Sequence, residues 1–451
     1  MGSRSSLQSS PSVDADVGAD TDAGEQQPPP PPWREIVGSN DWDNLLDPLN
    51  LNLRQLILRC GDFCQATYDA FNNDANSKFA GSSRYGRKSF FQKVLLQDAQ
   101  NYQVSCFLYA TARVSVPEAF LLHSLARDGS WDRESNWIGY TAVTTDEYSV
   151  SIGRREIYVA FRGTSRNYEW VNILGAQLEP ATELLAPVTV TAATTPENDA
   201  ASATSSSSDE DEGSSPKVML GWLTMYTSDD PNSQFTKQSA RSQLLATMKR
   251  LREKYAGEEL SVILTGHSLG ACLAILAAFD LVENRVVSET TPVTAIVFGS
   301  PQVGNRAFDD RVKSLSNLKI LHVRNKIDLL THYPGPLLGY VSTSTTDLVI
   351  DTRKSPSLKE SMNTGDWHNL QGMLHVVAGW NGEEGEFELK VKRSLALVNK
   401  SSEFLKEEYL IPGSWWVEKN KGMVLDENGE WGLAPPDDED LPVPPDEDED
   451  L

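Results

Sequence analysis

Cysteine is scarce in this chain, which has four such residues, at positions 60, 64, 106 and 272, in a length of 451. So few cysteines in so long a chain exclude a disulfide framework, and we expect free thiols in a reducing compartment. Cys60 and Cys64 have no second Cys or His pair near them in the sequence, which argues against a zinc site. The sequence therefore predicts neither a bound metal nor any other cofactor.

Positive charge is also in short supply, with 40 Lys and Arg against 64 Asp and Glu and a net charge of −24. A nucleic-acid-binding protein needs clustered positive charge, so this class is excluded. The acidity lies mainly in residues 1–32, 187–216 and 426–451, which carry net charges of −4, −6 and −12. The remainder is left with −2 and is close to neutral.

Long apolar runs are missing as well. No apolar segment marks a secretory signal at the N-terminus, and the acids between positions 14 and 22 argue against a transit peptide. The longest apolar stretch, residues 271–282, contains Asp280 and is shorter than the ~20 residues of a membrane span. We expect a cytoplasmic protein without a transmembrane segment.

Three segments have the composition of disordered chain. Residues 1–32 are acidic and end in five prolines, 187–216 combine Ser, Thr and Ala with acids, and 426–451 form an acidic tail. None of them has enough apolar surface to offset the entropy of ordering. We expect one folded domain over residues 33–425, interrupted by a disordered insertion at 187–216.

Within that domain, predicted strands alternate with predicted helices. Apolar periodicity indicates helices at residues 50–70, 239–255 and 269–282, and buried strands at 156–161, 260–265, 293–298 and 318–323. Such alternation predicts an α/β fold whose central sheet is mostly parallel and flanked by helices.

The strand at 260–265 runs into Gly-His-Ser-Leu-Gly at 266–270, and a helix follows. This is the G-x-S-x-G pattern in the strand–turn–helix setting that it requires, the nucleophile turn of the α/β-hydrolase fold. Glycines on both sides of Ser268 allow the sharp turn, and the helix N-terminus favours negative charge. Ser268 is the predicted nucleophile.

A serine nucleophile needs a base and an acid that orients the base, and in α/β-hydrolases they follow the serine in the order acid, then histidine. Asp328, just after the strand at 318–323, is the preferred acid, with Asp309 and Asp310 as alternatives in a segment that we expect to be exposed. His368 follows a turn and is the preferred base. His375, in an apolar run, is the alternative.

Acyl transfer also needs an oxyanion hole. The backbone N–H of Leu269, directly after the serine, is one expected donor. Thr164, in the turn after the strand at 156–161, is the expected second donor.

These motifs resemble those of the class 3, fungal-type lipases. The shared segments are residues 161–164, 266–270, 298–301, 303–305 and Asp328. The chain is more closely similar to the plant class II phospholipase A1 enzymes. That likeness extends from about Trp33 to about Val424, excluding the insertion, and adds residues 33–35, 46–49, 351–356, 368–370, 374–379, 397–400 and 411–415.

The resemblance implies a metal-independent acyl hydrolase that removes the sn-1 fatty acid from phospholipids at a membrane or micelle surface, with Ser268, Asp328 and His368 as its triad. One departure is Met219, where the family usually has histidine. Two alternatives remain open: a lipase for galactolipids or neutral lipids, and a catalytically silent, lipase-like signalling protein. Protein partners are not predicted.

Overall fold

The computed structural model describes residues 31–111, 135–164, 176–185 and 215–416, apart from 74–76, 78, 232 and 234, together with two short strands near the C-terminus. The described residues from Pro32 onward belong to one compact unit. Most of the three segments expected to be disordered, at 1–32, 187–216 and 426–451, lies outside the described residues.

Thirteen strands are present in the described part of the chain. In order they are β1 Tyr102–Thr111, β2 Ser135–Thr144, β3 Arg155–Phe161, β4 Leu178–Pro180, β5 Lys217–Met219, β6 Leu260–His267, β7 Val293–Phe298, β8 Gly304–Asn305, β9 Leu318–Asn325, β10 Tyr340–Val341, β11 Thr346–Ile350, β12 Met423–Leu425 and β13 Trp431–Leu433.

The described residues also form ten α-helices and several 3-10 helices. The α-helices are α1 Trp33–Ile36, α2 Leu51–Ala70, α3 Phe90–Lys93, α4 Asp146–Ile152, α5 Leu220–Thr227, α6 Ala240–Lys254, α7 Leu269–Glu283, α8 Arg306–Ser314, α9 Thr364–Trp367 and α10 Leu370–Gly379. The 3-10 helices are Arg87–Ser89, Ala99–Asn101, Leu329–His332, Pro336–Leu338, Thr352–Lys354, Leu395–Asn399 and Glu407–Tyr409.

The central sheet has seven strands in the order β1-β2-β3-β6-β7-β9-β11. The five strands from β3 to β11 are mutually parallel, and β1 and β2 continue the sheet in antiparallel pairing. This is the predicted α/β-hydrolase fold with its mostly parallel sheet. A second sheet, β10-β8-β5-β4, is antiparallel and was not predicted, because its strands are only two or three residues long.

Side chains of the central strands alternate between two cores. In β3, Ile157 and Val159 join the core packed by α5 to α8, whereas Tyr158 and Ala160 join the core packed by α2, α3 and α10. Successive side chains of a strand point to opposite faces. A strand that is buried on both faces is therefore apolar at nearly every position. The predicted helices and strands are confirmed, although β6 extends past Thr265 to His267.

The carboxyl ends of β3, β6, β7 and β9 meet at one edge of the sheet, as parallel pairing requires. The chain leaving this edge carries four of the five residues predicted for the site, and His368 arrives from the segment between α9 and α10. In the described part of the chain, no helix combines the length and apolarity needed to cross a membrane.

Candidate active site

Ser268 lies between the last residue of β6 and the first residue of α7, with φ of 60° and ψ of −126°. A non-glycine residue in this region is strained, and such strain is concentrated at functional sites. Glycine is required at positions 266 and 270 because backbone atoms approach too closely to leave space for a Cβ. A Cβ on Gly266 would lie 2.1 Å from the Gly270 carbonyl oxygen, and one on Gly270 would lie 2.3 Å from the Phe161 carbonyl oxygen.

Asp328 and His368 form a buried hydrogen-bonded pair. His368 Nδ1 and Asp328 Oδ2 are 2.6 Å apart, and the two residues are 1% (Asp328) and 4% (His368) exposed. The other carboxylate oxygen, Oδ1, accepts a hydrogen bond from Leu330 N at 3.0 Å, which fixes the carboxylate at the start of the 3-10 helix. The acid and the histidine predicted from the sequence are therefore brought together.

The loop after β7 joins this pair to the serine turn. Ser268 N donates to Phe298 O at 3.0 Å. The next residue, Gly299, has φ of 53°, and a Cβ there would lie 2.9 Å from His368 Cε1 and 3.3 Å from Asp328 Oδ2. Only glycine fits under the pair, so the backbone of residues 298–299 contacts the Ser268 turn on one side and the pair on the other.

The alternative acids are placed elsewhere. Asp309 is fully buried within α8, where Arg306 and Lys313 contact Oδ2 at 3.0 and 2.9 Å. The expectation that this segment is exposed is therefore wrong for Asp309, because two cations on its own helix compensate its charge, whereas Asp310 is exposed.

His375 is also separate from the predicted acid. It lies on α10, 3% exposed, with Nε2 at 2.8 Å from Ser355 Oγ and its ring centroid 5.0 Å from that of Phe387. Burial lowers the pKa of His375 to about 4. These are the surroundings of a neutral core histidine, as its apolar sequence context predicts.

His267, the histidine of the Gly-His-Ser-Leu-Gly turn, contacts the candidate base. His267 Nε2 lies 2.9 Å from the His368 carbonyl oxygen, and Nδ1 lies 2.8 Å from Tyr68 Oη. Burial holds the pKa of His267 well below its usual value, so the ring is neutral. Since a carbonyl only accepts, Nε2 carries the proton and Nδ1 accepts from the tyrosine hydroxyl. No sequence pattern connects Tyr68 to this site.

The turn after β3 adjoins the serine turn. A Cβ on Gly163 would lie 2.1 Å from Tyr68 Oη and 2.6 Å from the His267 carbonyl oxygen. Thr164 is partly exposed and directly follows this contact. Leu269 is the first residue of α7, where a backbone N–H has no acceptor within its own helix. Leu269 thus directly follows Ser268, and Thr164 directly follows the glycine that packs against the residue before the serine.

Two further features singled out in the sequence are Met219 and the lack of a metal-binding cluster. Met219 ends β5 and is buried in the core on the α5–α8 face of the sheet, 1% exposed. Within the described ranges, no group of three or more His, Cys, Asp or Glu side chains is arranged to hold a metal ion.

The sequence of this chain is similar to those of known proteins over most of its length. The profile of the Lipase (class 3) family matches residues 158–338. The chain is 63% identical over 414 residues to phospholipase A1-IIdelta of Arabidopsis thaliana, which covers 91% of this chain and 98% of that protein. It is 49% identical over 418 residues to phospholipase A1-II 5 of Oryza sativa subsp. japonica, which covers 92% of this chain and 85% of that protein.

Among solved structures, Lip2 lipase from Yarrowia lipolytica matches 68% of this chain and 81% of its own, with 17% identity and a TM-score of 0.40. The two plant proteins carry the assignment, since their identity to this chain is 63% and 49% and each match covers at least 85% of either chain. The chain belongs to the plant class II phospholipase A1 family of class 3 lipases and is a serine hydrolase of carboxylic esters.

Proposed function

We propose that the chain releases the sn-1 fatty acid from phospholipids through a triad of Ser268, His368 and Asp328 and an acyl-enzyme intermediate. The observation that carries this proposal is the buried Asp328–His368 pair, joined through residues 298–299 to the strained Ser268 turn. The names of the plant relatives support phospholipid as the substrate class.

In the first half-reaction, His368 Nε2 accepts the proton of the Ser268 hydroxyl while the serine oxygen attacks the ester carbonyl. Asp328 Oδ2 accepts from Nδ1, which holds the ring in the required tautomer and stabilises the imidazolium. The N–H groups of Leu269 and Thr164 donate to the oxyanion of the tetrahedral intermediate. As that intermediate collapses, the imidazolium protonates the departing lysophospholipid oxygen.

In the second half-reaction, water attacks the acyl-serine ester. His368 accepts a proton from this water and then protonates the Ser268 oxygen as the fatty acid leaves, which restores the starting state. No metal takes part in either half-reaction, so we expect full activity in the presence of a chelator.

The test is a lipid panel with positional analysis of the products. Phosphatidylcholine with different acyl chains at sn-1 and sn-2, a galactolipid and a triacylglycerol are incubated with the wild-type chain and with Ser268→Ala. We expect sn-1 acid from the phospholipid with the wild type and none with the variant. Preferential sn-2 release, or faster turnover of galactolipid or triacylglycerol, would contradict the proposed specificity. Absence of hydrolysis of every ester would favour the silent alternative.

A cytoplasmic location with peripheral contact to lipid surfaces remains part of the proposal. All four cysteines are free and buried, and burial raises the pKa of the thiols of Cys60, Cys64, Cys106 and Cys272. Free thiols are typical of reducing compartments. Imaging of a fluorescent fusion together with fractionation tests the location.

A further inference from the structure

Two loops beside the Asp328–His368 pair carry large apolar side chains in contact with solvent. Nine such residues are exposed in the described part of the chain, and four of them belong to these two loops. They are Leu329, Leu337, Leu338 and Met362, which are 63%, 99%, 53% and 88% exposed. We call these four residues the apolar rim.

The loop that follows β9 holds the three leucines of the rim. It has no Lys, Arg, Asp or Glu between Asp328 and Asp347, although 23% of the chain is charged. Scattered exposed leucines are normal on a protein surface, but a group of them in an uncharged loop is typical of a surface that binds an apolar partner.

Hydrogen bonds hold this loop against the candidate active site. Gln302 N donates to the Tyr333 carbonyl at 2.8 Å, and Gly335 N donates to Gln302 Oε1 at 2.8 Å. Gln302 belongs to the loop that begins at Gly299, the residue that packs under His368. The leucines are therefore anchored to the loop next to the catalytic pair.

The fourth residue of the rim lies on the segment that delivers His368. The residue before Met362, Ser361, accepts at its carbonyl from Trp367 Nε1 at 2.8 Å and donates from Oγ to Asp366 Oδ2 at 2.5 Å. The rim thus has members on both of the chain segments that supply Asp328 and His368.

We propose that the apolar rim docks the protein on the surface of a zwitterionic phospholipid bilayer. This inference rests on the proposed function, because a phospholipid substrate is held in a bilayer or micelle. A chain with a net charge of −24 gains no long-range attraction to an anionic surface, so its adhesion depends on burying apolar side chains. Insertion of the rim brings the edge of the sheet that carries Ser268 to the lipid surface.

The test is binding of the full-length chain to vesicles of dialkyl ether phosphatidylcholine, which has no ester bond and so separates binding from hydrolysis. Leu337→Glu should weaken sedimentation with vesicles by about tenfold or more, because a carboxylate in place of the leucine resists transfer out of water. The melting temperature should not change, since Leu337 is 99% exposed and contributes no packing.

The matched control is Val150→Glu. Val150 is 82% exposed on α4, the helix before β3, and so lies toward the opposite edge of the sheet. We expect it to bind vesicles like the wild type. Unchanged binding of Leu337→Glu, or an equal loss in both variants, would overturn the proposal.

Two further measurements distinguish lipid docking from self-association and from hydrolysis. Sedimentation velocity without vesicles tests whether the rim pairs two copies of the chain, and a dimer that Leu337→Glu dissociates would overturn lipid docking. Fatty acid release from diacyl phosphatidylcholine is measured separately. If release is absent while binding still depends on Leu337, the proposed function fails and docking stands.

Arg162 is a buried cation, 2% exposed, with no carboxylate partner among the described residues. Nε donates to the Trp137 carbonyl at 3.2 Å, Nη1 donates to the Gly163 carbonyl at 2.9 Å, and the guanidinium lies 3.7 Å from the centre of the Phe71 ring. Nη2 has no hydrogen-bond partner in the same set of residues. A buried charge held in this way is costly, which points to a role beyond packing.

The carbonyl that Arg162 holds and the N–H of Thr164 belong to one peptide unit. In a trans peptide the two groups point in opposite directions, so a bond to the Gly163 oxygen fixes the direction of the Thr164 N–H. We infer that Arg162 is a positioning residue that orients this peptide for the oxyanion hole. The inference rests on the proposed role of Thr164.

The test is Arg162→Met and Arg162→Lys, assayed with a dissolved ester and normalised by active-site titration with a phosphonate. Loss of one oriented oxyanion donor should lower kcat by roughly tenfold to a hundredfold, with KM little changed and the phosphonate reacting more slowly. Arg162→Lys keeps the charge and one donor, so we expect an intermediate kcat.

Arg54→Met is the control. Arg54 is also a buried arginine that donates to backbone carbonyls, those of Leu49, Val377 and Trp380. It should lower stability and leave kcat per titrated site unchanged. An unchanged kcat per site in both Arg162 variants would show that Arg162 acts through packing alone and would overturn the inference.

Discussion

Alanine and glycine at position 268 both delete the serine hydroxyl, but they differ in the backbone strain that they leave. We expect Ser268→Ala and Ser268→Gly to lose ester hydrolysis by several orders of magnitude, because loss of a triad nucleophile has that cost. Glycine adopts φ of 60° without strain, so the glycine variant should be more stable than the alanine variant by about 1 kcal/mol. Chemical denaturation and a purified-enzyme assay measure both effects. Near-normal activity in either variant would exclude Ser268 as the nucleophile.

The two histidines are separated by a double-mutant comparison. His368→Ala should reduce activity about as much as Ser268→Ala, and the double variant should be little worse, since residues that act as one unit are strongly non-additive. His375→Ala should keep most activity but lower the free energy of unfolding by roughly 1–3 kcal/mol, because it removes a buried ring and leaves Ser355 Oγ without that partner. A stable but inactive His375→Ala together with an active His368→Ala would reverse the assignment.

At the scale of elements, the close contact between β3 and α7 is possible because Gly270 has no side chain. Gly270→Ala puts a Cβ 2.3 Å from the Phe161 carbonyl oxygen, which is backbone and cannot rotate away. We expect a loss of about 1–3 kcal/mol in unfolding free energy and a disturbed serine turn. Gly372→Ala is the control within a helix, because the nearest atoms, at 2.9 Å, belong to the buried Phe404 side chain, and a side chain can shift where a backbone carbonyl cannot. An equally small effect of both substitutions would contradict this account of the contact.

Elements with a local signal were predictable from the sequence. The G-x-S-x-G turn, the long strands and helices, and Asp328 after β9 all follow from patterns within short windows. The contacts of Tyr68 with His267 and of Gly299 with His368 join residues that are distant in the chain, so no periodicity reveals them. The burial of Asp309 was missed because charged neighbours, which in fact compensate it, resemble a solvated face.

For the whole molecule, three buried histidines link stability to pH. Burial lowers the pKa of His267, and it lowers those of His322 and His375 to about 4. In the unfolded chain a histidine titrates near 6.5, so below that pH the unfolded state binds protons that the folded state does not. The free energy of unfolding should therefore fall as pH drops from 6.5 toward 4, by up to about 1.4 kcal/mol per pH unit for each histidine.

Denaturant titrations across this pH range, on the wild type and on His375→Gln, measure the contribution of one of the three. The variant should be less stable at pH 7 but should show a shallower decline below pH 6.5, since one of the three proton-binding differences is removed. Parallel pH profiles for the two proteins would show that His375 titrates alike in the folded and unfolded states.

The acidic C-terminal segment is expected to weaken binding of the chain to anionic lipid. Residues 434–451 hold nine acids and no Lys or Arg. A negative surface repels such a segment, and its low apolar content gives it little to bury against the folded body. A chain ending at Leu433 should keep its melting temperature and bind more tightly than the full chain to vesicles that contain anionic lipid. The difference should shrink with added salt and vanish near 1 M, where the Debye length is about 3 Å.

A full-length variant with the nine acids replaced by Asn and Gln should match the truncated chain, because charge rather than length is responsible. A lower melting temperature on truncation would show instead that the segment packs against the body.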